Sequence, residues 1–293
     1  MDLNPSTGVN LKDYSNDILA GKLWRITEKI DGVRRLFYKD NTNKVRAYSR
    51  SGKADKWLDH ITSYLEDGHF PSNMIYDCEL VSIDSYLNNV DSYILRAETT
   101  GKAAQQYPDN KEDLSAICFD MFHPEGDMTN GEDRHLLLTK TFRRSPINSP
   151  IFMVPYYGIL NGNDMQTLAY LMRNISKRNG EGLMLMNLDA PYIPGRSKEL
   201  IKVKRVEEFI GKVVDVEFAK EGTKIEGGIS ALICNIRGAN VPVRVGSGFT
   251  NEERKKFVSA SPIGKLIEIE GFSYTKDKAG NISVNMPIFK RIK

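Results

Sequence analysis

The chain has 293 residues, 40% apolar and 27% charged, with 41 Lys+Arg against 38 Asp+Glu and a formal net charge of +3. The length suits two domains or one large one, and the composition excludes a mostly disordered, a collagen-like or a membrane-embedded chain. No run approaches the ~18 apolar residues of a transmembrane helix, and residues 1–21 lack the basic stretch and apolar core of a secretory signal.

Asn4-Pro5-Ser6-Thr7-Gly8 reads as a loop, followed by a short helix around Leu11–Leu19. Trp24, Ile26, Glu28 and Ile30 alternate with Arg25, Thr27 and Lys29, which is strand periodicity. Asp31-Gly32 marks a turn, and Arg35–Lys39 with Val45–Ser49 reads as a hairpin around Asp40-Asn41-Thr42-Asn43. Trp57, Ile61 and Leu65 share a helical stripe. Ile75–Ser82 and Ala116–Phe122 read as strands, while Asp84–Asp113 is polar and without clear period. Asp164 caps the clearest helix, whose stripe is Leu168, Leu171, Met172 and Ile175 and which Gly180 ends. Leu183–Met186 is a short buried strand, and Leu200–Arg205 alternates with Lys202 and Lys204 on one face.

From Gly211 the texture becomes strand and turn. Val213–Phe218, Ile229–Ile236, Val241–Val245, Leu266–Phe272 and Ile282–Ile288 are five strand candidates, with a helix over Thr250–Val258 opened by the capping-box spacing Thr250/Glu253. Five strands with a helix between the third and fourth match a small OB-type barrel. This part carries 14 Lys+Arg against 9 Asp+Glu, a net of +5, while the rest of the chain is −2, and that asymmetry suggests a polyanionic partner. The expected boundary, near Glu207–Ile210, reads as a short hinge.

The sharpest local signal is Glu28-Lys29-Ile30-Asp31-Gly32-Val33-Arg34. A nucleophilic lysine has to be neutral, and at pH 7 an unperturbed amine is neutral in roughly one case in 2,500. Reaching the free base costs about 4–5 kcal/mol. Neighbouring cations, burial or a metal lower that cost, and Arg34, Lys202 and Lys204 are the candidate neighbours.

Lys29-Ile30-Asp31-Gly32-Val33-Arg34 resembles the KxDGxR signature of the covalent nucleotidyltransferases, the superfamily of ATP-dependent DNA ligases, RNA ligases and mRNA capping enzymes. The resemblance implies that Lys29 attacks the α-phosphate of a nucleotide and holds it as a phosphoramidate. Ser49-Arg50-Ser51-Gly52-Lys53 resembles the next signature, with Arg50 on sugar or phosphate. Asp77-Cys78-Glu79-Leu80 resembles the third, with Glu79 on the ribose and a metal. Phe119-Asp120-Met121-Phe122 resembles the segment whose first aromatic, Phe119, stacks on the purine. Glu181-Gly182-Leu183-Met184 resembles the fourth, with Glu181 as second metal carboxylate, and Leu200-Ile201-Lys202-Val203-Lys204 the fifth, with both lysines on the α-phosphate. Glu28, Arg34, Arg50, Glu79, Phe119, Glu181, Lys202 and Lys204 are thus the expected nucleotide-binding residues around the catalytic Lys29. Taken singly, each has a plainer reading: a solvent-facing glutamate, a core aromatic, a charged strand edge.

Val245-Gly246-Ser247-Gly248-Phe249 and Met286-Pro287-Ile288-Phe289-Lys290-Arg291 resemble barrel segments of the short ATP-dependent DNA ligases of bacteriophages and other viruses. That resemblance implies an α+β chain: an ATP-grasp-like nucleotidyltransferase domain with antiparallel sheets and flanking helices over 1–208, then an all-β OB-fold barrel over 209–293. It implies ATP and Mg²⁺ as cofactors, nicked duplex DNA as partner, no membrane, a monomer, and the cytoplasm, of a host cell if the source is viral. No separate N-terminal DNA-binding domain is expected. The three cysteines, Cys78, Cys118 and Cys234, are widely spaced, which fits reduced thiols and argues against a zinc ribbon or disulfide framework. Two departures stand out. Met186 occupies the place of a frequent lysine, which implies one cation fewer at the phosphates, and the closing basic motif is shortened to Phe289-Lys290-Arg291-Ile292-Lys293. The alternatives are an RNA ligase, a GTP-dependent capping-type enzyme, and a non-catalytic nucleic-acid-binding protein of the same fold.

Overall fold

The computed structural model describes residues 4–104, 111–125, 129–146, 149–272, 274–277 and 279–293. The chain divides into two compact units, Met1–Lys204 and Arg205–Lys293. The first runs β1 (Thr7–Asn10), β2 (Leu23–Lys29), β3 (Val33–Lys39), β4 (Val45–Ser49), β5 (Ala54–Asp55), α1 (Asp59–Leu65), β6 (Met74–Ser82), α2 (Ile83–Leu87), α3 (Ser92–Ala103) and β7 (Leu114–Phe122). It continues with α4 (Gly131–Phe142), β8 (Ile151–Met153), β9 (Tyr156–Asn161), α5 (Met165–Lys177), β10 (Gly182–Asn187) and β11 (Arg196–Lys204).

Among the described residues these strands form two sheets, ordered β1-β11-β10-β2-β9 and β5-β4-β3-β6-β7-β8. Each sheet is amphipathic by strand alternation. Trp24, Ile26, Leu183, Leu185 and Ile201 of the first pack with Leu168 and Ile175 of α5. Phe37, Tyr76, Leu80, Leu114 and Ala116 of the second pack with Ile61 and Leu65 of α1 and Leu138 and Phe142 of α4. The residues of opposite parity face the other sheet, so a cleft is lined by every second residue of β2, β3, β6, β7, β10 and β11. The sheets are mixed rather than antiparallel, because β1 pairs with β11, and β7 with β8, in parallel.

Several local expectations change. The helix expected at Leu11–Leu19 is two short 3₁₀ turns, Leu11–Asp13 and Asn16–Ile18. Trp57 lies outside α1 and is exposed, and Leu58 takes the buried place. Asp164 does cap α5, accepting the Thr167 N–H at 3.0 Å, but Asn179 rather than Gly180 takes the positive φ (62°) at its end.

The second unit comprises β12 (Glu207–Phe218), β13 (Ile229–Ile236), β14 (Val243–Val245), α6 (Asn251–Ser259), β15 (Leu266–Gly271), β16 (Tyr274–Lys276), β17 (Ile282–Val284) and β18 (Ile288–Ile292). Its sheet runs β14-β13-β12-β15-β18, around a core that includes Val213, Leu232, Val245, Phe257, Ile269 and Phe289. Thr250 and Glu253 form the full capping box of α6. The last strand candidate is divided: β17 pairs with β16 in a separate ribbon, and β18 is the strand that joins the sheet. Glu207–Ile210, expected to be a hinge, is the start of β12 and pairs with β15. No helix among the described residues is long and apolar enough to cross a membrane.

Candidate active site

Lys29 is the last residue of β2 and, two positions on from Thr27, points into the cleft. Its Nζ donates to Glu181 Oε2, and Lys204 Nζ lies 3.2 Å from Glu181 Oε1, so one carboxylate, 5% exposed, joins both ammonium groups. Register explains the convergence: Gly182 is the Cα partner of Lys29 on one side and of Lys204 on the other. Glycine is required at 182 because a Cβ there would lie 2.1 Å from the Val203 carbonyl oxygen. Lys202 shares the cleft-facing parity of Lys204, and its pKa is lowered by burial and by the neighbouring charges of Lys204, Lys29 and Arg196.

The turn after Lys29 is equally constrained. A Cβ at Gly32 would sit 2.0 Å from the Leu80 carbonyl oxygen, and the Gly32 N–H donates to Glu79 Oε1 at 3.2 Å. Glu79 therefore receives a backbone donor from the turn that follows Lys29. Burial pushes its pKa up to about 7; Lys29 and Arg34 oppose the rise and Glu181 adds to it. Asp31 is also raised, first by burial and then by Glu181, and its Oδ1 accepts from Arg96 of α3 at 2.9 Å. Like charges crowded in a buried place favour a divalent cation. The described residues hold no group of three or more His, Cys, Asp and Glu positioned as a metal cage. Two carboxylates supplemented by phosphate oxygens and water is the arrangement Mg²⁺ takes, so Glu79 and Glu181 fit that ion.

Phe119 sits at an irregularity. Asp77 pairs with Asp120 and Cys78 with Cys118, which leaves Phe119 as the extra residue of a β-bulge. The bulge puts Ile117, Phe119 and Asp120 together on the cleft face, where strict alternation would turn one of the last two inward. The Arg34 guanidinium lies 5.3 Å from the Phe119 ring centroid. Arg34 is committed to Asp77, with Nε donating to Oδ1 at 2.8 Å and NH2 to Oδ2, and its NH1 donates to the Ser6 carbonyl at 2.7 Å. It belongs to the aromatic side of the cleft and not to the lysine cluster.

Two expectations are relocated. Glu28 lies on the face opposite Lys29, accepting from Tyr157 Oη at 2.8 Å and Arg178 NH2 at 2.6 Å beside the end of α5, outside the cleft. Met186 is the register partner of Arg25, four residues along β2 from Lys29, or about 13 Å at strand rise. A lysine there would start far from the Lys29 cluster, so the methionine removes no cation from it. Arg50 follows β4 and lines a cavity of about 580 Å³ with Lys202, Arg196, Asn4, Thr7 and Ser51 among others. Sequence reasoning missed Arg196; its only signal was its place after Pro194-Gly195, six residues before Lys202. None of Arg50, Arg196 and Lys202 has an ion-pair partner among the described residues.

Residues 10–204 match the family model described as ATP dependent DNA ligase domain. The chain is 26% identical over 259 residues to a DNA ligase of Haemophilus influenzae, covering 88% of this chain and 82% of that protein. It resembles the solved structure named Pmar-Lig_PreS3 with a TM-score of 0.82 and 22% identity, over 99% of this chain and 67% of that one. A structure described as "DNA binding with a minimal scaffold: Structure-function analysis of Lig E DNA ligases" matches with a TM-score of 0.71 and 20% identity, over 99% and 98%.

Proposed function

Because the chain belongs to the ATP-dependent DNA ligase family, we propose that Lys29 is the residue that carries the adenylate and that the cleft around it is the ATP site. The chain is a DNA ligase, and its units have the folds of a ligase nucleotidyltransferase domain and an OB-fold domain. We read the first more finely as ATP-grasp-like and the second as a barrel.

In the first step the neutral Lys29 amine attacks the α-phosphorus of ATP, forming the N–P bond as the α–β P–O bond breaks and pyrophosphate leaves. Glu181, bonded to Lys29 in the resting site, stands where the amine's proton departs. Lys204 and Lys202 face the same point and neutralise the α-phosphate as charge shifts to the leaving group. Glu79 and Glu181 are the residues that would hold magnesium, which when bound would supply further charge neutralisation at the phosphates. Phe119 offers a face for the adenine, and the Arg34–Asp77 pair lies beside it. In the second step an oxygen of the 5′-phosphate at a nick attacks the same phosphorus and the N–P bond breaks. In the third the 3′-hydroxyl attacks the activated phosphate and AMP leaves.

The second step needs a place for another phosphate near Lys29. The cavity lined by Arg50, Arg196 and Lys202 supplies one, because its cations are not spent on protein carboxylates and Lys202 belongs to both sites. The acceptor is nicked duplex DNA and the working form a monomer. The observation that carries this reading is the Lys29–Glu181–Lys204 bridge, which brings three separate sequence segments to one point. After incubation with α-labelled ATP and magnesium, a denaturing gel should show label on the parent protein and none on Lys29→Ala. Equal labelling of both would end the assignment.

A further inference from the structure

Arg25 lies two strand positions beyond Thr27 on the cleft face of β2. It is 2% exposed, yet it makes no ion pair with a carboxylate among the described residues: Asp120, the opposite charge that acts on it most, accepts instead from Arg134 Nε at 3.1 Å. The one hydrogen bond its guanidinium makes among the described residues runs from NH2 to the backbone carbonyl of Phe119, at 3.0 Å across the cleft. Its Nε and NH1 are buried without partners. A buried guanidinium that gains so little itself is expensive to keep, so the carbonyl it satisfies is where to look for its use. Phe119 is the unpaired residue of the bulge, and a bulge carbonyl without a ladder partner needs one from elsewhere.

We infer that Arg25 is a positioning residue for the nucleotide base, pinning the bulge so that the Phe119 ring stays on the cleft face. Without it the extra residue can slip back into the β6–β7 ladder. A one-residue slip turns side chains to the opposite face, which would carry the ring away from the ATP site. Met186 beside Arg25 fits the same picture, because a lysine there would bring a third cation next to Arg25 and Arg134, whose NH2 already contacts the Met186 sulfur at 3.4 Å.

The inference rests on Phe119 being the base platform, and the test separates the two ideas. Formation of the covalent adenylate is followed against ATP concentration for Arg25→Met, Arg25→Lys, Phe119→Leu and the Arg25→Met/Phe119→Leu double variant, with thermal unfolding of each. Losing one base–aromatic stack should raise KM for ATP by about tenfold, in both Phe119→Leu and Arg25→Met, with kcat changed less than threefold. The double variant should be no worse than either single one, and Arg25→Lys, whose ammonium reaches the same carbonyl, should regain most of the affinity. Should Arg25→Met not fold, Arg25→Gln is too short for the carbonyl and takes its place under the same criterion. If Phe119→Leu leaves KM unchanged, the platform reading fails and this inference with it. If Phe119→Leu raises KM while the Arg25 variants do not, or if the two effects multiply, only the role given to Arg25 is overturned. A lowered melting temperature with unchanged KM likewise reduces Arg25 to a structural residue.

Discussion

Glu79 is the clearest case of a residue kept against its own preference. Burial is the main cause of its pKa of about 7, with Glu181 adding to it and Lys29, Arg34 and the Gly32 N–H only partly offsetting it. A carboxyl whose folded pKa lies above its ordinary value of 4.5 favours the folded state fully at pH values below 4.5. That advantage is lost as pH rises through 7. The interval corresponds to about 3 kcal/mol. In metal-free buffer Glu79→Gln, which keeps an oxygen for the Gly32 N–H, should therefore be more stable than the parent by about that amount at pH 8.5, and the gap should close toward pH 4.5. Urea unfolding at the two pH values measures it; a gap that does not change with pH would show that the buried charge is not what costs stability. On the magnesium site proposed above, the ion should narrow the gap at pH 8.5 by favouring the charged carboxylate.

At the level of elements, what the sequence hid follows from chemistry that periodicity does not see. α3 was unreadable because its buried stripe is Leu95, Thr99 and Ala103, with a hydroxyl at the centre. Thr99 Oγ1 donates to the Leu95 carbonyl at 2.7 Å and accepts the Ser82 N–H at 2.9 Å, tying the helix to the end of β6. Thr99→Val keeps the shape but orphans a buried N–H, and it should cost about 1–3 kcal/mol, while Thr99→Ser should cost less than half as much. Denaturant midpoints check this, and equal losses in both variants would assign the cost to packing. The placement of Lys29, Lys202 and Lys204 was legible, because each is an alternate residue of a recognisable strand. The same alternation already set Glu28 with Trp24 and Ile26, away from Lys29, so the sequence itself contained the reason Glu28 lies outside the cleft. The bulge at Phe119 and the pairing of Met186 with Arg25 were not legible, since both depend on register between strands distant in the chain. The parallel pairing of β1 with β11, which brings Asn4, Thr7 and Arg196 around one cavity, has no local signature either.

At the scale of the molecule, the excess positive charge of the C-terminal unit has a specific form. Arg244, Lys290 and Arg291 are spent on Glu217, Glu270 and Glu268. Lys212, Lys220, Lys224, Lys255, Lys256 and Lys265 are exposed and have no ion-pair partner among the described residues. Cations paired with carboxylates release no counterions on meeting DNA; unpaired ones do, and each phosphate neutralised contributes about 0.9 to the slope of log affinity on log salt. With four of the six lysines on phosphates, the slope for a nicked duplex should be about −3.6, a loss of about a hundredfold between 50 and 200 mM salt. Anisotropy of a labelled duplex ending in a 3′-dideoxy nucleotide at the nick, in metal-free buffer, measures binding without sealing. Replacing Lys255 and Lys256 together by glutamine should reduce the slope by at most about 2 and weaken all duplex sequences alike, since phosphates carry no base identity. A slope that stays unchanged when all six lysines are replaced by glutamine would mean that this unit's lysines solvate the surface and that DNA is held elsewhere.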